Sequence, residues 1–117
     1  MPKKKIKKKK SISQLKKEAD RVFSLFVRNR DKACFTCGAR ENLQCGHFVS
    51  RSHNNTRYDP DNSKTQCVSC NVFKNGNYAE YAFRLGGEKV AELRKRGRIL
   101  KQFKRFELEE IIEKYKV

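Results

Sequence analysis

Gln66-Cys67-Val68-Ser69-Cys70-Asn71, "QCVSCN", is the stretch on which the fold turns. Two cysteines separated by two residues can aim both sulfurs at one metal ion. A second pair with the same spacing lies upstream, Cys34 and Cys37 in "CFTC". Together the four thiolates predict a tetrahedral structural zinc at Cys34, Cys37, Cys67 and Cys70. The fifth cysteine, Cys45, precedes a glycine and reads as a small buried hydrophobe. The composition makes a staple necessary: 117 residues, 37% apolar and 36% charged, can bury only a modest core as one small domain. No run is long and apolar enough for a signal peptide or a membrane helix, which predicts a cytoplasmic protein without membrane contact. A reducing compartment favours zinc over disulfides.

Working outward, 29 residues (38–66) separate the two pairs, more than the roughly 15–20 of a zinc ribbon. The insert holds the β-prone pieces "LQCGHFVS" and "TRYD", separated by the turn-rich "GAREN", "RSHNN" and "DPDNS". After Cys67, "CVSCNVFKNGN" predicts a short helix stopped at Gly76. Upstream, Ile12, Leu15, Ala19, Val22, Phe23 and Phe26 recur at helical spacing, with Ser11 and Gln14 as a capping box. Downstream, "YAEYAFRLGGEKVAELRKRG" predicts two short helices broken at Gly86 and Gly87. Leu108, Ile111, Ile112 and Tyr115 mark a final amphipathic helix. The expected organisation is a basic tail (1–10), a helix (11–30), a zinc-stapled core (about 31–76) and a helical C-terminal part (77–117).

The formal charge is +16, and without the seven lysines of 3–10 it is still +9. A basic body behind a basic tail points to a polyanion, most simply nucleic acid. Lys3, Lys4, Lys5, Lys7, Lys8, Lys9 and Lys10, with Lys74, are candidate phosphate contacts.

"CFTC", "CGHF", "TRYDPDN" and "QCVSCN", followed by "KNGN", resemble the HNH, or ββα-metal, endonucleases. The likeness is to the zinc-bearing phage recombination enzymes of the NinG/Rap type and, more distantly, to phage endonuclease VII. It implies an α+β fold, a small zinc-stapled ββα core flanked by N- and C-terminal helices, encoded by a phage and working in the bacterial host cell. It also implies a DNA endonuclease acting on branched substrates such as Holliday junctions or flaps, dependent on Mg²⁺ or Mn²⁺.

His47 is the natural general base, since a neutral imidazole can take a proton from water near pH 7. A lone histidine is more often structural, and the resembling motif around it reverses that reading. By the resemblance Asn71 ligates the catalytic cation, Asn62 bonds across the loop to orient His47, and Arg57 clamps the scissile phosphate. An amide oxygen suits Mg²⁺; the alternative is that Asn71 caps the helix or bonds the zinc thiolates. Gly46 stands where many HNH sites carry an acidic or histidine ligand, and NinG-like sequences also have glycine there. Lys64 falls in a short segment where NinG-like proteins often place a histidine, with His53, Asp59 and Asp61 as nearby substitutes. A resolvase of four-way junctions would act as a homodimer. The competing reading is a non-catalytic basic zinc module that binds nucleic acid.

Overall fold

The computed structural model describes residues 9–117. Helix α1, Ile12–Arg30, opens on the capping box: Ser11 Oγ accepts from Gln14 N–H, and the Gln14 side chain accepts from Ser11 N–H. Its apolar stripe of Leu15, Ala19, Val22, Phe23 and Val27 is buried against Leu108, Ile112 and Tyr115 of the last helix, α5 (Arg105–Tyr115). Periodic apolar residues on both helices make that packing possible. Phe23 meets the Tyr115 and Tyr58 rings edge-on.

A two-stranded antiparallel sheet follows, β1 (Leu43–His47) paired with β2 (Ser63–Cys67) in a register that sets Gly46 opposite Lys64 and His47 opposite Ser63. Thr65 Oγ1 donates to the Val27 carbonyl and Arg30 to the Ser63 carbonyl, so the end of α1 carries β2. The second core cluster gathers Phe48, Tyr81 and Leu93 with Phe35. Tyr81 and Leu93 come from α3 (Tyr78–Leu85) and α4 (Gly87–Gly97), which part at Gly86 with φ 89°. The fold is therefore a mixture of helices with one small antiparallel sheet. Among the described residues no helix is long and apolar enough to cross a membrane.

Two local expectations are corrected. "TRYD" is not strand: Thr56 and Arg57 close a short helix, α2 (Asn54–Arg57), and the second strand starts only at Ser63. The Asn54 and Asn55 amides donate to the carbonyls of Lys101 and Arg96, and this tertiary docking overrides the β propensity of Thr and Tyr. The segment after Cys67 forms one wide π turn, Ser69–Phe73, rather than a regular helix. Lys74 N–H reaches the Ser69 carbonyl, and Gly76 N–H reaches back to the Cys70 carbonyl. Asn75, Gly76 and Asn77 then all take positive φ, so the chain reverses into α3.

Candidate functional site

The first Cys-x-x-Cys knuckle closes when Gly38 N–H donates to the Cys34 carbonyl, with Gly38 at φ 81°. The second closes when Cys70 N–H donates to Cys67 Sγ. The four sulfurs of Cys34, Cys37, Cys67 and Cys70 lie within 4.8 Å of one another. Tetrahedral Zn–S bonds of about 2.3 Å place sulfurs roughly 3.8 Å apart, so this donor set fits zinc. Burial would raise the Cys34 thiol, but hydrogen bonds from Thr36 and from the backbone of Cys67, Thr36 and Cys37 bring it to about 6. At Cys37 a backbone bond from Ala39 favours the thiolate, yet the neighbouring sulfurs, Cys67 foremost, and burial push it up to about 12. Such crowded sulfurs resist shedding all their protons until a cation joins them.

A cleft of about 410 Å³ opens beside this cluster. β1 contributes Gln44, Cys45 and His47; α1 contributes Asp20, Phe23 and Ser24; the loop after β1 contributes Ser50 and Arg51. Asn71 enters from the π turn and Tyr78 from the start of α3. The fold thus brings His47 and Asn71, 24 positions apart, to one cavity.

His47 Nε2 lies 2.9 Å from the Arg57 carbonyl. A carbonyl only accepts, so Nε2 carries the proton and Nδ1 keeps the basic lone pair. Burial pushes the His47 pKa below the ordinary imidazole value, the Arg57 carbonyl opposes, and the charge of Arg51 pushes it further down. The ring is therefore neutral at pH 7. Asn71 Nδ2 donates to Gln44 Oε1 at 2.9 Å, which leaves its Oδ1 as the atom for a cation. Asn71 bonds no thiolate in this arrangement; Asn77 does so instead, at Cys70 Sγ.

Asn62 is fully buried and bonds across the loop: Oδ1 accepts from Val49 N–H, and Nδ2 donates to the Val49 and Thr56 carbonyls. It makes no hydrogen bond to the His47 ring, which is held instead by the Arg57 carbonyl. Arg57, expected as the phosphate clamp, is held here by protein partners. Its guanidinium forks onto Asp20 at 2.9 and 2.6 Å, and its remaining nitrogen donates to the Arg51 carbonyl. The cation that lines the cleft is Arg51, whose side chain is 59% exposed and 3.8 Å from Asp20. Burial would raise the Asp20 carboxyl, but the Arg57 guanidinium holds it below the usual range.

The other candidates lie elsewhere. Lys64 sits over the Phe35 ring, with Nζ 5.4 Å from its centroid. His53 Nδ1 meets the Gly97 carbonyl, and Asp59 and Asp61 both pair with Arg96. None of these four lines the cleft. Gly46 has its own reason to be glycine: a Cβ there would fall 2.0 Å from Gln66 Oε1. Gln66 donates to Thr36 Oγ1 and the Gly76 carbonyl, tying β2 to the first knuckle and to the reversal after the π turn. Cys45 is half-buried against the first core cluster, and burial pushes its thiol up to about 11. Lys74 is exposed just past the π turn, and Lys10 pairs with Glu18. Lys9 is exposed; Lys3, Lys4, Lys5, Lys7 and Lys8 lie outside the described residues.

Sequence reasoning missed Asp20, Arg51, Gln44 and Tyr78. The available signal for Asp20 was its place on α1 one residue from buried Ala19, at the flank of the apolar stripe.

The chain is 34% identical over 86 residues to Protein ninG of Escherichia phage 933W, an alignment covering 66% of this chain and 43% of that protein. The lambda phage protein of the same name is 33% identical over 86 residues, covering 66% and 42%. That of Salmonella phage P22 is 34% identical over 70 residues, covering 56% and 34%. The chain thus spans less than half the length of these relatives. No solved structure matches it significantly. A family model described as "Bacteriophage Lambda NinG protein" matches residues 1–117, end to end, and the chain accordingly belongs to the NinG family.

Proposed function

We propose that this chain is a metal-dependent endonuclease of the HNH type, hydrolysing DNA phosphodiester bonds, with branched DNA as the expected substrate during phage recombination or replication in the host cell. The observation that carries the reading is the shared cleft of His47, Asn71 and Arg51 beside the four-cysteine cluster. His47 Nδ1 takes the proton of an attacking water, because Nε2 is held by the Arg57 carbonyl and burial keeps the ring neutral. Arg51 contacts the phosphate, since Arg57 is engaged by Asp20 while the Arg51 side chain is exposed at the cleft. Mg²⁺ or Mn²⁺ at Asn71 Oδ1 would supply positive charge to the phosphate and the leaving oxygen. Asn62 holds the loop that carries Ser50 and Arg51 by pinning Val49. The +16 charge supplies the general attraction to DNA. Two symmetric cuts on a junction would call for a homodimer.

One observation favours the rival reading of a nucleic-acid-binding zinc module. Asp20 is the only carboxylate lining the cleft among the described residues, and Arg57 already engages both its oxygens. The test is incubation with a labelled four-way junction, a flap and a linear duplex, with and without Mg²⁺ or Mn²⁺, beside His47→Ala. Metal-dependent cutting lost in the variant is the expected result. Salt-sensitive binding without cutting by either protein would leave the binding module.

A further inference from the structure

We infer that Phe73, displayed on the π turn two residues after Asn71, is a stacking platform for an unpaired base of the nucleic-acid strand. The inference rests on the nucleic-acid reading above and narrows it to a substrate class.

Phe73 is 79% exposed and its neighbour Val72 49% exposed. Exposing a phenyl ring and an isopropyl group side by side opposes the hydrophobic effect, so the patch is suited to being covered by something else. The turn that displays them is not slack. Cys70 belongs to the metal cluster; Lys74 N–H binds the Ser69 carbonyl, and Asn75 N–H binds the Val72 carbonyl. Gln66 holds the Gly76 carbonyl from below, and Asn77 Nδ2 holds Cys70 Sγ. Asn75 and Asn77 take left-handed backbone, at φ 49° and 48°, on either side of Gly76. That conformation is unfavourable for residues with a Cβ and persists where surrounding bonds enforce it. A rigid support holds the ring in place before any partner arrives, which reduces the ordering cost of contact.

Position and charge identify the partner. Phe73 follows two residues after Asn71, and Tyr78, itself 46% exposed, lines the cleft. Lys74 follows directly and is exposed. An aromatic face beside a cation, on a chain of charge +16, fits a ligand that joins flat apolar faces to a polyanionic backbone. Bases inside a duplex already stack on one another. A base in a flap, bulge or junction has a face to offer. The structure thus assigns to Phe73 a preference for strands with unpaired bases.

The test is equilibrium binding by the full-length His47→Ala protein, without added Mg²⁺ or Mn²⁺, to two DNAs of one sequence. One is a blunt duplex, and the other carries 2-aminopurine in an unpaired bulge. Phe73→Ala should weaken binding to the bulged DNA by about 10-fold, within the range for loss of one stacked base. It should also abolish the change in 2-aminopurine fluorescence, while leaving duplex affinity and its salt dependence unchanged. Phe73→Trp should retain both, and Phe83→Ala, which removes an equally exposed ring on α3, should alter neither. Equal loss on both DNAs, or no loss on either, would overturn the inference. So would a change of oligomeric state in Phe73→Ala, because the patch would then cover protein. If wild type does not cut with Mg²⁺ but the preference for unpaired bases depends on Phe73, the nuclease reading fails and the stacking site stands. If wild type cuts with Mg²⁺ and bulge binding is indifferent to Phe73, the stacking site fails and the nuclease reading stands.

Discussion

His47 is poised by its surroundings more than by its own chemistry. Its folded pKa lies below its unfolded value, so between the two the unfolded chain binds more protons. Its neutral burial contributes stability that is fully present above about pH 6.5 and is lost as pH falls toward the lower folded value. Thermal melts from pH 7.5 downward should show this loss, and His47→Gln should flatten that part of the profile. Gly46 offers a second check at this scale. Its Cβ would strike Gln66 Oε1, so Gly46→Ala should cost about 1–3 kcal/mol by overpacking. Urea unfolding should find the cost smaller in a Gln66→Ser background, since the two positions share one space. Glycine before the histidine is thus explained by packing, whatever the chemistry of the cleft.

At the scale of elements, the two knuckles hold the hairpin, the π turn and the start of α3 in one unit, with Gln66 as the internal strut. Zinc should bind one per chain, and Co²⁺ in its place should show the intense thiolate-to-metal absorption of a four-sulfur site. Removing the metal with a strong chelator should abolish cooperative unfolding of the hairpin region, read by hydrogen exchange at β1 and β2. Retained protection there would mean that the cluster is not the staple. The π turn was not legible in "CVSCNVFKNGN", because helical and π geometry share the same residue preferences. The wider turn is imposed by tying Gly76 to Cys70 on one side and to Gln66 on the other. "TRYD" misled for a similar reason: the helix there depends on asparagine contacts to carbonyls 41 and 47 positions away.

For the whole molecule, charge and scaffold divide the work. α1 and α5 form the support, with Phe23, Leu108 and Tyr115 at its centre, and α1 brings Asp20 to the cleft. The surface carries the positive charge. Affinity for duplex DNA should therefore fall steeply and linearly on a plot of log K against log salt. Deleting residues 1–8 should reduce that slope without abolishing binding, because the remaining body is still basic. A slope that vanished with the tail would assign all phosphate contacts to it.

The sequence by itself determined the four-cysteine cluster, since a two-residue spacer is local geometry that holds wherever the chain goes. It determined the capped first helix, the apolar stripe of the last and the β character of "LQCGH", while the partner strand Ser63–Cys67 came only with the fold. Through motif likeness it also singled out His47 and Asn71, which the fold places in one cleft. Only the tertiary structure decided which arginine faces that cleft. Arg51 and Arg57 are chemically alike and six positions apart. The difference is made by Asp20, which α1 delivers from 37 positions away to hold Arg57 and leave the Arg51 side chain exposed at the cleft. Such a choice depends on long-range packing of a helix against a loop, and residue pattern along the chain carries no record of it.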